Sequence, residues 1–276
     1  MTFSPSPIAI LGCGWLGLPL LSALVERGYA VRGSSRQPAV LQSIAAAGGR
    51  AVALDLSQPD ADSGPLLNGA RTLIFTVPPG GRKYGERTTE HYLSLLKPLR
   101  SFLDSSNLAH LIFTSSTGVY GDAAGEVDER TPTEATTHSG RAVLAMEAAL
   151  AEFTPHLTIL RLAGLCGPDR HPGRFYGRAG ATIPNGDAPV NLVHREDVIR
   201  AVEACLPLPP AEPTRFNVCA GKHPPKGAFY RAGAQVLGLP EPSIGGGGRD
   251  DKRILSRKIR AERGWQPKYE NPYKFL

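Results

Sequence analysis

The stretch that decides the fold lies near the start of the chain, where residues 8–17 read IAILGCGWLG. Four apolar residues predict a buried strand, and the glycines that follow form a G-x-G-x-x-G motif opening a helix. In such a motif Gly12 permits the tight turn, Gly14 lets the backbone approach a ligand and Gly17 allows close helix–strand packing. A pyrophosphate would sit at the helix N-terminus. The alternative is a glycine-rich turn without a ligand. The predicted dinucleotide-binding residues of this segment are Gly12, Gly14, Trp15, Leu16 and Gly17.

Short β-rich runs alternate with helical stretches through the first half of the chain, which is typical of a parallel sheet covered by helices. Most of these runs are continuously apolar, as expected for strands buried on both faces. The pattern predicts helices over Leu16–Arg27, closed by Gly28, and over Arg141–Phe153. The fold class is therefore α/β, with a Rossmann-type doubly wound parallel sheet. The predicted strands are Ile8–Leu11, Tyr29–Arg32, Ala51–Leu54, Thr72–Val77, Leu111–Ser115 and Thr158–Leu162.

The composition of the sequence changes after residue 163, because glycine and proline are frequent in Gly164–Pro189 and again in Pro207–Gly248. Such stretches predict loops and short elements, where specificity is commonly built. We expect an NAD(P)-binding core over residues 1–163. A loop-rich C-terminal part over residues 164–276 would carry a small substrate lobe, and its last strands could return to the core sheet.

Composition limits the classes of function. With 41% hydrophobic and 20% charged residues among 276, the chain is an ordinary globular one. Its net charge is +6, and five of the six excess positive charges lie in residues 249–268. The chain lacks aromatic residues interleaved with basic ones and any recognisable nucleic-acid module, so no nucleic-acid partner is expected. The uncharged run at residues 8–25 is interrupted by glycines and a proline, which argues against a membrane role. The charge instead favours small anionic ligands.

Several classes of site are excluded by missing patterns. The four cysteines form no C-x-x-C pair and have no histidine at ligand spacing. We therefore expect neither a metal site nor a disulfide framework, and we expect the protein to be cytoplasmic. The chain contains no G-x-S-x-G elbow of a serine hydrolase. It also contains no P-loop and no H-E-x-x-H motif.

The type of dinucleotide follows from the end of the second strand, where a carboxylate would bind the ribose 2′-hydroxyl of NAD. No Asp or Glu occurs from Arg27 to Leu54, and Ser34, Ser35 and Arg36 stand at this place. A guanidinium can bind a 2′-phosphate bidentately, so NADP is favoured over NAD unless Arg36 is merely solvated. The remaining predicted cofactor residues are Asp55 and Leu56, at the adenine edge, with Val77 and Pro78 after the fourth strand. Asp55 could equally cap the turn that follows it.

Further motifs are spread over nearly the whole chain. They are ALDL at residues 53–56, TSSTGVYG at 114–121, RLAGLCGP at 161–168, VHREDV at 193–198 and GWQP at 264–267. Together they resemble the extended short-chain dehydrogenase/reductase superfamily of sugar-nucleotide epimerases, dehydratases and related reductases. The combination of GWLG, TSSTGVYGD, HPGRF and NLVHREDV resembles the YeeZ-type group of atypical members. The resemblance implies an NAD(P)-binding oxidoreductase or epimerase-like protein that forms a homodimer.

One departure from the family bears on catalysis. The family's Y-x-x-x-K pair is followed by a glutamate eight residues after the tyrosine, and counting back from Glu147 places Ser139 and Val143 at the two positions. A serine hydroxyl is a weak acid, and valine supplies no charge to activate it. Two hypotheses follow. The protein is an NADP-dependent oxidoreductase or epimerase with a non-standard proton donor, or it is a catalytically silent NADP-binding sensor.

Candidate groups for catalysis and substrate binding are named on this basis. The catalytic candidates are Ser116, which matches the family's serine, Tyr120 and Ser139; for Tyr120 the alternative is a packed ring. Other acids without a spacing argument are Tyr84, Tyr176, His138 and His194. The candidates for binding a small anionic or nucleotide-linked substrate are Arg174, in a loop with His171, together with Asn191 and His194. The alternatives are a solvated loop for Arg174 and a structural hydrogen bond for His194.

Overall fold

The computed structural model of the chain describes residues 6–58, 60–105, 108–154, 156–246 and 251–276. Thirteen strands occur in these residues. They are β1 (Ile8–Leu11), β2 (Val31–Ser35), β3 (Arg50–Ala53), β4 (Thr72–Phe75), β5 (His110–Ser116), β6 (Glu126–Val127), β7 (Leu157–Leu162), β8 (Gly164–Cys166), β9 (Thr182–Ile183), β10 (Leu192–His194), β11 (Thr214–Val218), β12 (Ser243–Ile244) and β13 (Arg253–Ile254).

Ten α-helices occur in the same described ranges. They are α1 (Gly17–Glu26), α2 (Pro38–Ala46), α3 (Gly64–Leu67), α4 (Gly81–Tyr84), α5 (Thr88–Ser94), α6 (Lys97–Ser105), α7 (His138–Ala151), α8 (Arg195–Cys205), α9 (Lys226–Val236) and α10 (Arg257–Arg263). Short 3-10 helices cover Gly85–Arg87, Thr117–Tyr120, Pro172–Arg174 and Pro272–Phe275.

The central sheet has seven strands among the described residues, in the order β11-β7-β5-β4-β1-β2-β3. The pairings of β1 with β2 and β4, of β2 with β3 and of β4 with β5 are parallel. All four residues of β1 and all six of β7 are buried. The chain therefore has the expected α/β fold, a Rossmann-type sheet flanked by helices, with β1 positioning the glycine motif between β2 and β4.

The predicted elements are all present, with differences at their ends. Gly28 closes α1 with φ +85°, as expected for glycine after a helix. The strand β2 runs to Ser35, because its polar end still pairs with Ala53 of β3. The helix α7 begins at His138, where the hydroxyl of Thr137 caps it by accepting from the N–H of Gly140 at 3.0 Å. Pairing and capping, which the apolar pattern does not reveal, set these ends.

The chain forms two compact units that are interleaved along the sequence. The first contains residues 1–115, 137–160 and 205–215, and the second contains residues 116–136, 161–204 and 216–276. The second unit includes the two-stranded parallel pairs β8–β10, β9–β12 and β6–β13. The domain boundary after residue 163 stays a prediction, since these units are not consecutive segments. No helix in the described ranges is both long and apolar enough to cross a membrane.

Candidate functional site

The three glycines of the motif, all in the first unit, differ in what an added Cβ would contact. Gly12 has φ +95°, and a Cβ there would lie 2.7 Å from Cγ2 of Val77. A Cβ on Gly17 would overlap the carbonyl oxygen of Gly12 and lie 2.9 Å from Oγ1 of Thr76. A Cβ on Gly14 would meet no described atom within 4 Å. Gly12 and Gly17 therefore shape the turn, whereas Gly14 leaves open space beside it.

The N-terminus of helix α1 lies beside the open space at Gly14. It begins at Gly17 and spans 10 residues, and no side chain among the described residues caps it. The N–H groups of a first helical turn have no partner within the helix, and they carry the positive end of the helix dipole. No acidic residue lies in this turn to neutralise that end. The arrangement fits a pyrophosphate of a dinucleotide.

Three polar side chains hold the loops around the glycine motif. The hydroxyl of Ser34, which is 3% exposed, accepts from the N–H of Gly12 at 3.1 Å. Thr76 Oγ1 donates to the carbonyl of Gly12 at 2.7 Å. Tyr92 is fully buried, and its hydroxyl donates to the carbonyl of Val77 at 2.6 Å. The loop after β1 is thus joined to the end of β2 and to the residue after β4, and the loop after β4 is joined to α5. The predicted ligand Ser34 makes the first of these bonds.

Two of these three residues, Thr76 and Tyr92, are not among the predicted site residues. Thr76 directly follows β4, so a hydroxyl at the carboxyl end of a strand beside β1 could have been recognised as a signal. Tyr92 carries no such signal, because its position in α5 says nothing about the carbonyl that it reaches. Burial raises the pKa of the Tyr92 hydroxyl well above its ordinary value, so this group stays a protonated donor.

The ends of β2 and β3 bring a guanidinium and a carboxylate together. Arg36 Nη1 lies 3.7 Å from Asp55 Oδ1, and the Arg36 side chain is 63% exposed. Asp55 Oδ1 also accepts from the N–H and the hydroxyl of Ser57, at 3.0 and 2.7 Å. Burial alone would raise the pKa of Asp55, but the bonds from Ser57 and the charge of Arg36 outweigh it and lower that pKa. Asp55 therefore caps its turn, and the exposed Arg36 still faces solvent.

The other predicted cofactor residues of the first unit follow the same edge of the sheet. Ser35 is half-buried, and its hydroxyl accepts from the N–H of Gln37 at 3.1 Å. Leu56 is 8% exposed, and Pro78 is exposed after β4. These positions follow adjacent strands in the order β4-β1-β2-β3. Ligands of open α/β sheets bind at this carboxyl edge.

The residues Ser139 and Val143 both lie on α7 in the first unit. Ser139 is half-buried, and a Cβ added to Gly81 would overlap its hydroxyl oxygen, so Ser139 packs against the segment that follows β4. Val143 is 3% exposed and lies one turn from Met146, which is fully buried. Glu147 is 1% exposed and accepts from the Ser115 hydroxyl at 2.6 Å. This face of α7 is thus closely packed.

The hydroxyl of Tyr120, in the second unit, belongs to a buried network. It accepts from Arg161 Nη1 at 2.9 Å and donates to Asn217 Oδ1 at 2.8 Å, and Tyr120 is 1% exposed. Burial raises the pKa of Tyr120, although the neighbouring Arg161 partly opposes this. Ser116, by contrast, is half-buried, and its hydroxyl accepts from the N–H of Gly118 at 3.0 Å. Both hydroxyls have internal partners, but that of Tyr120 is enclosed.

The three candidate substrate residues, also in the second unit, differ in environment. Asn191 uses its side chain on the backbone: it accepts from the N–H of Ile254 and donates to the carbonyl of Lys252, both at 2.8 Å. His194 is 7% exposed, and burial is the main cause that lowers its pKa, so it is neutral at pH 7. Its Nδ1 accepts from the N–H of Glu196 at 3.3 Å. Arg174 is exposed at the end of a short 3-10 helix.

Many of the basic side chains in residues 249–268 bind acidic or carbonyl oxygens within the second unit. The start of this stretch, residues 249–250, lies outside the described residues. Among its described cations, Arg263 donates to the neighbouring carbonyl of Glu262 at 3.2 Å, and four others contact acidic or carbonyl oxygens farther along the chain. They are Lys252 on the carbonyl of Gly121 at 2.6 Å, Arg257 on Glu126 at 3.3 Å, Arg260 on Glu270 at 2.8 Å and Lys268 on Glu196 at 2.7 Å.

The cysteines and possible metal ligands give no sign of a second kind of site. All four cysteines are buried, and burial raises the pKa of the Cys13 and Cys166 thiols to about 12. Thiols of this kind are poor nucleophiles at neutral pH. In the part of the chain that the structure describes, no group of three or more His, Cys, Asp or Glu residues could hold a metal ion.

Comparison with known proteins places this geometry in a family. The sequence model of a family described as NAD(P)H-binding matches residues 12–209. Protein YeeZ of Escherichia coli K12 is 38% identical over an alignment of 273 residues that covers 96% of this chain and 97% of the relative. Thus both the glycine motif and nearly all of the remaining sequence have counterparts in known proteins.

Solved structures give the same answer for the fold. A functionally unknown conserved protein of Silicibacter pomeroyi is 25% identical, with a TM-score of 0.77, over 97% of this chain and 95% of its own. The UDP-glucuronic acid 4-epimerase of Bacillus cereus, solved with NAD, is 18% identical, with a TM-score of 0.78, over 98% of both chains. The chain therefore belongs to the NAD(P)H-binding family, together with Protein YeeZ of Escherichia coli.

Proposed function

We propose that the chain binds NADP(H) in preference to NAD(H), at the carboxyl edge of β1, β2, β3 and β4. The observation that carries the proposal is the open space at Gly14 beside the uncapped N-terminus of α1. The pyrophosphate would lie on residues 12–17. The exposed guanidinium of Arg36 and the hydroxyl of Ser35 would receive the 2′-phosphate. Asp55, Leu56, Val77 and Pro78 would surround the adenosine, and buried Ser34 would support the loop.

Dinucleotide binding is tested by filling the open space. NADPH at 100 times its Kd is expected to stabilise the wild-type protein by about 2.7 kcal/mol. In Gly14→Val the isopropyl group would occupy the pyrophosphate position, so we expect the Kd for NADPH to rise about 100-fold. At the same NADPH concentration the stabilisation should then fall to about 0.4 kcal/mol. Titration calorimetry and thermal unfolding measure the two effects.

The matched control is the unliganded stability of the same variant. Because a Cβ at position 14 meets no described atom within 4 Å, the melting temperature without ligand should stay close to that of the wild type. A wild-type protein that neither NADP(H) nor NAD(H) stabilises would refute the proposal. So would a Gly14→Val variant that still binds NADPH with wild-type affinity.

The reaction we propose is oxidoreductase or epimerase-like chemistry on a small anionic or nucleotide-linked substrate. Support comes from the Bacillus cereus UDP-glucuronic acid 4-epimerase, which shares the fold. The bound nicotinamide would supply hydride transfer. The chain would supply the exposed guanidinium of Arg174, which can hold an anionic group, and the hydroxyl of Ser116. Asn191 and His194 would hold the surrounding backbone rather than the substrate.

The proton donor in this proposal is not the usual tyrosine. We infer from the spacing to Glu147 that Ser139 and Val143 stand at the positions of the family's tyrosine and lysine. Ser139 packs against Gly81, and Val143 is buried. The hydroxyl of Tyr120 is enclosed by Arg161 and Asn217. Among the three catalytic candidates, Ser116 is therefore the group that we assign to proton transfer.

The same observations favour a second candidate function. A chain that binds NADP(H), with Ser139 packed and Val143 buried, is suited to report cofactor levels to a partner without turning substrate over. Purified protein loaded separately with NADP+, which can accept a hydride from a sugar alcohol, and with NADPH, which can donate one to a carbonyl, is offered a panel of UDP-sugars and small carbonyl acids to separate the two functions. Turnover that falls at least tenfold in Ser116→Ala, with NADPH binding unchanged, supports the enzyme. NADPH binding without oxidation or epimerisation supports the sensor.

We also propose a cytoplasmic homodimer without a nucleic-acid or membrane partner. Support for excluding nucleic acid comes from the ion pairs of residues 257, 260 and 268, which use charge that a phosphate backbone would need. Light scattering after size exclusion tests the dimer, since a monomer at micromolar concentration would refute it.

A further inference from the structure

A group of cations and aromatic rings lies beside the predicted cofactor residues in the first unit. It consists of Arg36 after β2, Lys83 and Tyr84 in α4, and His91 in α5, and we name it the 36/83/91 cluster. The Tyr84 ring stacks on the His91 imidazole with ring centres 3.7 Å apart and planes 26° apart. Lys83 Nζ lies 4.9 Å from the centre of the Tyr84 ring. Tyr84 thus fixes the imidazole and lies under the ammonium group.

The cluster is positively charged and open to solvent. Burial is the largest cause that lowers the pKa of His91, and the charges of Lys83 and Arg36 lower it further. These two cations therefore lie within electrostatic reach of the same imidazole. Lys83 is exposed, and the Arg36 side chain is 63% exposed, so both can still receive an anion.

Topology brings the two halves of the cluster to one edge of the sheet. The strands β2 and β4 pair with opposite sides of β1, with Ile8 opposite Val31 on one side and Thr72 on the other. The segments that follow β2 and β4 therefore flank the glycine motif that follows β1. A ligand lying on the glycine motif would pass between Arg36 and the segment that carries Lys83.

One cation is a weak receptor for a phosphomonoester here. Such a group carries a charge of about −1.5 to −2 at pH 7. The charge of Arg36 is already shared with Asp55, 3.7 Å away. A second cation and a further N–H donor are needed to balance the phosphate, and Lys83 and His91 are groups of those two kinds.

We propose that Lys83 and His91, positioned by Tyr84, complete with Arg36 the site for the adenosine 2′-phosphate, so that the segment after β4 sets the preference for NADP(H). This inference rests on the proposed dinucleotide function and adds specificity residues to it. The class of ligand is a ribose 2′-phosphomonoester.

The experiment compares Lys83→Met with wild type in the full chain, by calorimetric titration with NADPH, NADH, 2′,5′-ADP and 5′-AMP. We expect Lys83→Met to weaken NADPH and 2′,5′-ADP about tenfold, which corresponds to about 1.4 kcal/mol, and to leave NADH and 5′-AMP unchanged. His91→Gln should weaken the same two ligands. The two variants together test an exposed member of the cluster, Lys83, and a half-buried member, His91.

The matched control is Arg82→Met, which removes the neighbouring exposed cation of the same short helix. It should leave all four affinities unchanged. Equal losses in Arg82→Met and Lys83→Met would show diffuse surface charge and overturn the inference. Equal losses for NADPH and NADH, or no loss, would overturn it as well. If the wild type bound neither dinucleotide, the proposed function itself would fail. If inorganic phosphate bound as tightly as 2′,5′-ADP, the cluster would be a general anion site, and the inference would be overturned.

Discussion

Gly17→Ala is expected to lower the free energy of unfolding by about 3 kcal/mol or more, the largest effect among the substitutions considered. The added Cβ would overlap the carbonyl oxygen of Gly12 and crowd Oγ1 of Thr76 at 2.9 Å. A backbone carbonyl cannot rotate away as a side chain can, so the start of α1 would have to separate from the turn. Urea denaturation followed by circular dichroism measures the loss.

The control for this variant lies within the same motif. Gly14→Ala adds the same methyl group where no described atom lies within 4 Å, so its free energy of unfolding should stay within about 0.5 kcal/mol of wild type. Similar losses in the two alanine variants would contradict the packing argument. Any remaining folded Gly17→Ala should also bind NADPH more weakly, since the helix N-terminus would be displaced.

Arg161→Met should also strongly destabilise the protein, by about 2–4 kcal/mol. Arg161 is 3% exposed, donates to the Tyr120 hydroxyl at 2.9 Å, and its guanidinium carbon lies 5.0 Å from the centre of the Tyr120 ring. Methionine keeps the volume but provides no donor. The Tyr120 hydroxyl would lose a buried hydrogen bond, and the ring would lose its cation contact. Thermal and urea unfolding measure the change.

An exposed arginine of the same unit serves as the control. Arg130 pairs with Asp128 at 2.8 Å, but its side chain is 92% exposed, so Arg130→Met should leave the unfolding midpoint essentially unchanged. If Arg161→Met were as harmless as Arg130→Met, the network around Tyr120 would not be structural. Tyr120 would then return as a candidate proton donor.

The role of a site residue could be predicted from the sequence only where its structural partners are close to it in the chain. The reasons for Gly12 and Gly17 could be predicted from spacing, because strand, turn and helix are consecutive in the chain. The role of Ser34 could not, since its hydroxyl meets the N–H of Gly12, 22 positions away. Asn191 belongs to the same class, because its side chain bonds the backbone of Lys252 and Ile254, which are 61 and 63 positions away. His194 differs, since its Nδ1 accepts from the N–H of Glu196, only two positions along the chain.

The basic stretch shows the same limit for electrostatics. Sequence places five of six excess positive charges in residues 249–268, which favoured an anionic ligand. In the folded second unit Arg260 and Lys268 meet Glu270 and Glu196, each within 2.8 Å. Net charge is a sum over residues, whereas the potential that a ligand meets depends on which charges are already paired.

The sequence by itself determined the α/β class, the strand that starts it, the glycine motif and the family, because these depend on apolar periodicity and on residues adjacent in the chain. Only the tertiary structure decided which polar groups remain available. It enclosed the hydroxyl of Tyr120, packed Ser139 against Gly81 and stacked Tyr84 on His91. The physical reason is that burial and hydrogen bonding depend on neighbours distant in sequence, and they decide which side chains can still act on a ligand.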